Sequence, residues 1–343
     1  MKLIETRKAV GHILCHDITE IVKDVTKRTR FRKGHIVQEE DIPVLLKLGK
    51  ENLYIWEKKE GMLHENEAAE YLRDIGLNEN MSASECKEGK IEIYADCDGL
   101  LKIDLDRLYE VNKSDEMMIA TRHNNTPVRK GFALMGTRII PLVIEEEKME
   151  KVKEMVGPEP ILKLIPFKKL KAGVVTTGNE VFTGKIKDSF TPVIIDKLKG
   201  YGIEVSHHEL SDDDKDSIAE KIQRMLDEGV DLVLCTGGMS VDPDDKTPAA
   251  IKKVSDRIIS YGAPVLPGAM FLLAYTDDGR PIMGLPGCVM YCQRTVFDLV
   301  LPRIAAKDPI SKDELAMLGH GGLCVNSNEC FFPDRIYERN SND

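Results

Sequence analysis

The chain has 343 residues, a formal net charge of −10, 42% apolar and 31% charged residues, and a single tryptophan, Trp56. That is enough material for two or three domains with an ample core. An acidic, aromatic-poor chain is a poor partner for nucleic-acid phosphates or stacked bases, so nucleic acid is not expected as a ligand. No run of eighteen apolar residues occurs, and residues 1–12 have no apolar signal region. No membrane span and no secretory signal are therefore expected, and the location expected is cytoplasmic. Basic clusters at 27–33 (KRTRFRK) and 168–171 (KKLK) read as solvated faces. The second, just before a strand, would also raise the local potential for an anion. Eight cysteines are scattered without any C-x-x-C and read as reduced thiols, mostly core filler.

In chain order, residues 9–19 alternate well enough for a strand. Residues 39–48 carry a helical stripe at Ile42, Leu45, Leu46 and Leu48, stopped by Gly49. Residues 52–56 predict a strand, and 64–75 an amphipathic helix ended by Gly76. A strand at 90–95 precedes a turn at Asp98–Gly99, then a short helix at 105–111. Strands are predicted at 116–121 and 138–144, and a charged helix at 145–155. Gly157, Pro158 and Pro160 break the pattern, which sets the domain boundary near 160. Residues 1–160 thus form a mixed α+β accessory region, with a further split expected near 60–90.

Beyond 171 strands and helices alternate regularly. Strands are predicted at 172–176, 203–210, 231–235 and 281–285, and helices at 191–199, 215–227, 247–254 and 288–301. Strands apolar on both faces and separated by helices imply a mostly parallel sheet covered on both sides. The fold class is α/β, a three-layer α/β/α sandwich over 161–307, followed by a short tail at 308–343.

Ligand crevices of such sheets lie at the carboxyl ends of the strands. Three loops are candidates. In TTGNEVFTGKIKDS, Thr177, Gly178 and Asn179 follow the strand directly, where glycine lets amides approach an anion. Glu180 is the next polar group, and Asp188 and Ser189 lie at the next helix start, where a plain N-cap is the simpler reading. In TGGMSVDPDDKT, Thr236, Gly237, Gly238 and Ser240 offer amides and hydroxyls suited to a phosphate or pterin edge. Asp242, Asp244 and Asp245 follow. Acids beside an anion-binding loop call for a divalent cation, and Asp242 with Asp245 would hold magnesium. A capped helix start is the plainer alternative. The third loop is LPGC, with Pro286 and Gly287. LPGA at 266–269 and Asp212 and Asp213 are further candidates for the same edge.

The segments VVTTGNE, GKIKDS, SDDD, TGGMS with PDD, LPGA and GLPG, in this order over 168–306, resemble the molybdopterin-binding domain. That domain is shared by molybdopterin molybdotransferases of the gephyrin E type and molybdopterin adenylyltransferases. The resemblance implies a site for the pterin and terminal phosphate of molybdopterin or adenylylated molybdopterin, with Mg2+. It implies binding roles for Thr177, Gly178, Asn179, Glu180, Ser189, Thr236, Gly237, Gly238, Ser240, Pro286 and Gly287. Asp188 and Asp245 take the catalytic roles. Phe190 stands where the transferase pattern has asparagine, Val241 where it has glycine, and Cys288 and Val289 where it has Asn-Pro. The D-G-Y-A signature of the transferase N-terminal region is missing, although FRKGHIVQEEDIPVLLKLG and HENEAA look like pieces of its accessory domains.

The function implied is molybdenum cofactor biosynthesis, as a molybdotransferase-like transferase that inserts metal into adenylylated molybdopterin with release of AMP. The alternative is a non-catalytic molybdopterin carrier or chaperone for a client molybdoenzyme, which the substitutions favour. The resemblance further implies a homodimer or homotrimer. Neither G-x-x-x-x-G-K-[ST] nor G-x-G-x-x-G occurs, which makes ordinary ATPase and dinucleotide functions poor rivals. His207 and His208 are expected at a strand end. His320, Cys324 and Cys330 in the tail do not have the spacing of a standard zinc site.

Overall fold

The computed structural model describes residues 2–22, 26–55, 60–240, 242–243 and 245–325. They fall into two compact units, Met1–Asn124 with Val128–Leu164, and Asn125–Pro127 with Ile165–Asp343. Among the described residues no helix is long and apolar enough to cross a membrane.

In the first unit, strand Lys2–Glu5 pairs antiparallel with Asn52–Ile55, and Ile18–Val22 with Thr26–Phe31. Helix Asp41–Lys47 buries Leu45 against Leu14, Ile18, Phe31 and Leu53. The strand expected over 9–19 is interrupted. Gly11, at φ +81°, turns the chain, and only Ile13 and Leu14 make isolated bridges before extended structure resumes at Ile18. Trp56 lies outside the described residues.

Helix Glu65–Gly76 then packs on a four-stranded sheet ordered Met81–Ala83, Lys90–Ala95, Ala133–Ile139, Met117–Thr121. The buried His64 side chain accepts from the Asn66 amide, and Glu67 closes a capping box. The helix ends at Gly76, as expected. A Cβ there would lie 2.2 Å from Met135 Cε, so the glycine makes room for the methionine.

The second unit carries β1 (Leu170–Thr177), α1 (Phe190–Lys199), β2 (Ile203–Ser211), α2 (Lys215–Asp227), β3 (Leu232–Thr236) and α3 (Thr247–Val254). β4 (Arg257–Tyr261), β5 (Leu272–Tyr275), β6 (Pro281–Leu285) and α4 (Val296–Ala305) follow. The sheet order is β2-β1-β3-β6-β5-β4. The first four strands are parallel, and β5 runs antiparallel to both β6 and β4.

Successive strand residues face opposite sides, and here both sides are apolar. Ala172, Val174, Leu232, Leu234 and Met283 share a core with Ile194 and Leu198 of α1 and Phe297 and Leu301 of α4. Val175, Val233, Cys235 and Ile282 share another with Ile218, Ile222 and Met225 of α2 and Ile251 of α3. The result is the α/β/α sandwich.

Two local expectations fail. The single helix at 288–301 is broken into a 3-10 turn, Gly287–Met290, and α4. Thr295 starts the new helix, since its hydroxyl accepts from the Phe297 amide while Asp298 accepts from the Thr295 amide. β4 and β5 have no counterpart among the predicted strands. β5 is four residues long and wholly buried, so it lacks the alternation that marks a strand.

Phe297 is completely buried between sheet and helix layers. Phe297→Ala is expected to cost about 3–5 kcal/mol, read as a lower urea midpoint with an unchanged slope.

Candidate functional site

The strand order fixes where a site can form. The chain leaves β1 to build β2 on one side, then crosses back to place β3 on β1's other side. The loops after β1 and β3 therefore diverge and leave a crevice at the carboxyl edge. Thr176 pairs in register with Thr236, and Thr236 with Leu285, so the three Gly-containing loops start side by side.

The first two are joined tightly. The Thr177 hydroxyl donates to the Thr236 carbonyl at 3.1 Å and lies 3.1 Å from the Thr247 hydroxyl, at the start of α3. All three threonines are buried. Gly237 and Gly238, at φ +82° and +56°, pass directly over this joint. A Cβ on Gly237 would lie 2.3 Å from the Thr177 carbonyl oxygen, and one on Gly238 2.8 Å from Thr247 Oγ1. Only glycine meets both demands, the positive φ and the missing volume. The Thr236 hydroxyl is buried here without a hydrogen-bond partner among the described residues.

Beyond the glycines the loop is held by its own acid. The Ser240 amide donates to Asp245 Oδ2 at 2.7 Å, and the Asp245 amide to the Asp242 carbonyl at 3.0 Å. Tyr261, from the unpredicted β4, donates its hydroxyl to the Met239 carbonyl at 2.9 Å. The Met239 side chain occupies the space left by the absent Cβ of Gly284. Val241 and Asp244 lie outside the described residues. Among the described residues no group of three or more His, Cys, Asp or Glu gathers to hold a metal ion.

The SDDD segment divides its labour. Asp214 caps α2 by accepting from the Asp216 and Ser217 amides, while Asp213 reaches the Asn179 amide at 3.0 Å. The Gly178 amide donates to the Ser211 carbonyl. Glu180 is exposed on the short helix Asn179–Phe182.

Asp188 belongs to a cluster that the sequence did not reveal. Its Oδ1 accepts from the Phe190 and Thr191 amides at 2.9 and 3.1 Å, so it caps α1. Its Oδ2 accepts from the Thr191 hydroxyl at 2.5 Å and stands 3.4 Å from His208 Nε2. That nitrogen is also 3.1 Å from both the Thr176 and the Thr191 hydroxyls. Burial pushes the Asp188 carboxyl up, but the hydrogen bonds from Thr191 and the backbone amides outweigh it and leave it below the ordinary range. Ser189 does not cap the helix. Its hydroxyl donates to Met290 Sδ at 3.2 Å, bridging the first and third loops. Phe190, in place of a polar residue, packs into the core.

His207 and His208 are not at a strand end. β2 continues to Ser211, with Val174 paired to His208. The signal available was alternation, which turns Thr176 and His208 to one face. In the tail, His320 is exposed and Cys324 is disulfide-bonded, which overturns the reduced-thiol expectation at that position. Cys330 lies outside the described residues.

Residues 173–306 match the family model described as "Probable molybdopterin binding domain". This α/β domain belongs to the molybdopterin-binding family. Residues 3–57 match a separate model for a domain of unknown function. The chain is 34% identical over 95 residues to a CinA-like protein of Mycobacterium avium, which is 28% of this chain and 22% of that protein. It is 36% identical over 87 residues to one of Mycolicibacterium gilvum, covering 25% and 21%. The matched segment thus spans about a fifth of the length of these relatives. Among solved structures, the molybdopterin biosynthesis enzyme MoaB of Thermus thermophilus is similar at 23% identity and a TM-score of 0.36, covering 41% of this chain and 98% of that one. The tungsten cofactor synthesizing protein MoaB of Pyrococcus furiosus gives 23% and 0.31, covering 36% and 84%.

Asp188→Ala should lower stability by about 1–2 kcal/mol at neutral pH, the range for a lost cap. Because the folded-state pKa is depressed, this stabilisation is present above the unfolded carboxyl value near ~3.9 and lost as pH falls through the lower folded value. Urea midpoints of wild type and variant should converge as the solution becomes strongly acidic.

Proposed function

We propose that the crevice between the loops after β1 and β3 binds molybdopterin, alone or adenylylated, and that the chain serves molybdenum cofactor biosynthesis by holding this pterin. The single observation that carries the reading is the packing of Gly237 and Gly238 onto Thr177 and Thr247, which fixes a glycine-rich loop at the switch point of the sheet. The amides of Gly237 and Gly238 and the hydroxyl of Ser240 would take the phosphate and pterin edge, while the Gly178 amide is engaged by the Ser211 carbonyl. Thr236 would supply its unpaired hydroxyl, and Pro286 and Gly287 the third wall. Thr177 acts through the architecture, since its hydroxyl is engaged within the fold.

An anionic ligand beside Asp242 and Asp245 needs a counter-charge. Magnesium is commonly held by one or two carboxylates together with ligand phosphates. One Asp245 oxygen is engaged by the Ser240 amide, and Asp242 meets Asp245 through its main chain. These residues fit a magnesium ion that arrives with the phosphate better than a preformed cage. The ion would neutralise phosphate charge, while Asp245 keeps the loop closed around the ligand.

Asp188 distinguishes the two roles. Its carboxylate is occupied by the α1 amides, Thr191 and His208, which favours a carrier that delivers the pterin to a client molybdoenzyme. Asp245 favours the second reading, a molybdotransferase-like step in which adenylylated molybdopterin and molybdate give the cofactor and AMP. It stands beside the loop that would hold the phosphate, where charge stabilisation lowers a barrier.

Titration of the full chain with molybdopterin should show saturable binding. Gly237→Val should weaken it by roughly tenfold or more, with circular dichroism confirming a folded variant. Unchanged affinity in a folded Gly237→Val protein would refute the site. In the same preparation, adenylylated pterin with molybdate and magnesium should be retained without AMP release. AMP release that is lost in Asp245→Ala would establish the transferase reading instead.

A further inference from the structure

Away from the crevice, one group of side chains in the first unit sets a nucleophile against a base. The Lys33 amine stands 2.9 Å from His64 Nδ1. His64 is completely buried at the start of helix Glu65–Gly76, and its Nε2 stands 2.6 Å from the Cys15 carbonyl oxygen. A carbonyl oxygen only accepts, so Nε2 carries the ring proton. Nδ1 is therefore the lone pair, and two donors face it, the Lys33 amine and, at 3.2 Å, the Asn66 amide. The tautomer is fixed from both sides.

A base within hydrogen-bond reach of an amine, itself oriented by a third group, is the arrangement that activates a nucleophile. Burial pushes the His64 imidazole below its ordinary value, which keeps the lone pair open near neutral pH. Burial also lowers the Lys33 amine, against the pull of Glu67 and Glu65. Lys33 as a whole is exposed, so a small molecule can reach it from solvent. Glu65 is 6% exposed, and its carboxyl makes no hydrogen bond among the described residues. Burial raises that carboxyl, and Lys33 is the main charge opposing the rise. A buried acid without a hydrogen bond is costly for the fold alone. Facing an amine, it is a proton donor suited to neutral pH.

We propose that Lys33 is a covalent capture site for small aldehydes, with His64 as its base and Glu65 as its acid. His64 Nδ1 takes a proton from the Lys33 ammonium and frees the nitrogen lone pair. That pair forms a C–N bond to the carbonyl carbon, and the π pair moves onto oxygen, which takes the proton back from His64. His64 then removes a second proton from nitrogen. Glu65 protonates the hydroxyl, the C–O bond breaks, and water leaves as the nitrogen pair closes the C=N bond. The proton on His64 returns to Glu65. The sum is ammonium plus aldehyde giving iminium plus water, with no oxidant or reductant. The inference concerns the first unit alone and stands whether or not the crevice binds a pterin.

The test treats the full chain at neutral pH with limiting propanal and cyanoborohydride. The hydride reduces the iminium and leaves a propyl mark that peptide mapping locates. Lys33 should be marked roughly tenfold faster or more than Lys2 and Lys163, two exposed lysines of the same unit. His64→Gln and Glu65→Gln should each remove most of that lead and leave Lys2 and Lys163 unchanged, with circular dichroism confirming folded variants. Marking of wild-type Lys33 no faster than Lys2 and Lys163 would overturn the proposal, and this comparison needs no variant to fold. So would an undiminished lead of Lys33 in either folded variant.

Discussion

The approach of Gly237 to the Thr177 carbonyl is the contact on which much of the site depends. Two loops that leave neighbouring parallel strands in opposite directions would ordinarily stay apart, because each follows its own helix. Here the loop after β3 folds back over the end of β1. Thr177 bonds to Thr236 beneath it, and Thr247 anchors the start of α3 to the same point. Any side chain at 237 would enter the volume of a backbone atom that cannot move without shifting β1. The crevice is therefore built as one piece with the sheet.

Around this joint the polar groups separate into those that hold the structure and those left over. Asp213, Asp214 and Asp188 bond to backbone amides at element starts, as acids near helix N-termini do. Asp245 closes its own loop. The Thr236 hydroxyl has no such duty, and a buried hydroxyl without a partner is costly unless something meets it. Cys288 and Val289 stand at the third loop, where the family resemblance implies Asn-Pro.

Much of the fold was legible because it rests on local rules. The parallel strands ending at Thr177, Thr236 and Leu285 are apolar runs bounded by turn residues, and the amphipathic stripe of α2 is regular. Where a residue's role depended on a distant neighbour, the reading was incomplete or failed. Gly76 ends its helix as read, and it also accommodates Met135, nearly sixty positions on. The apolar run after Gly287 looked like one helix, yet Thr295 restarts it. His208 joined Thr176, Thr191 and Asp188 only once β2 had paired with β1.

The sequence by itself determined the alternation of apolar strands and helices beyond residue 170, the glycine-rich loops that follow the strands, and the resemblance to a pterin-binding domain. Periodicity and turn chemistry act over a few residues, and a few residues are enough to read them. Tertiary structure alone decided the strand order, the antiparallel β4 and β5, the meeting of Asp188 with His208, and the latch from Tyr261 to the Met239 carbonyl. Each depends on how segments separated in the chain come to lie side by side, and that is settled only when the whole sheet has closed.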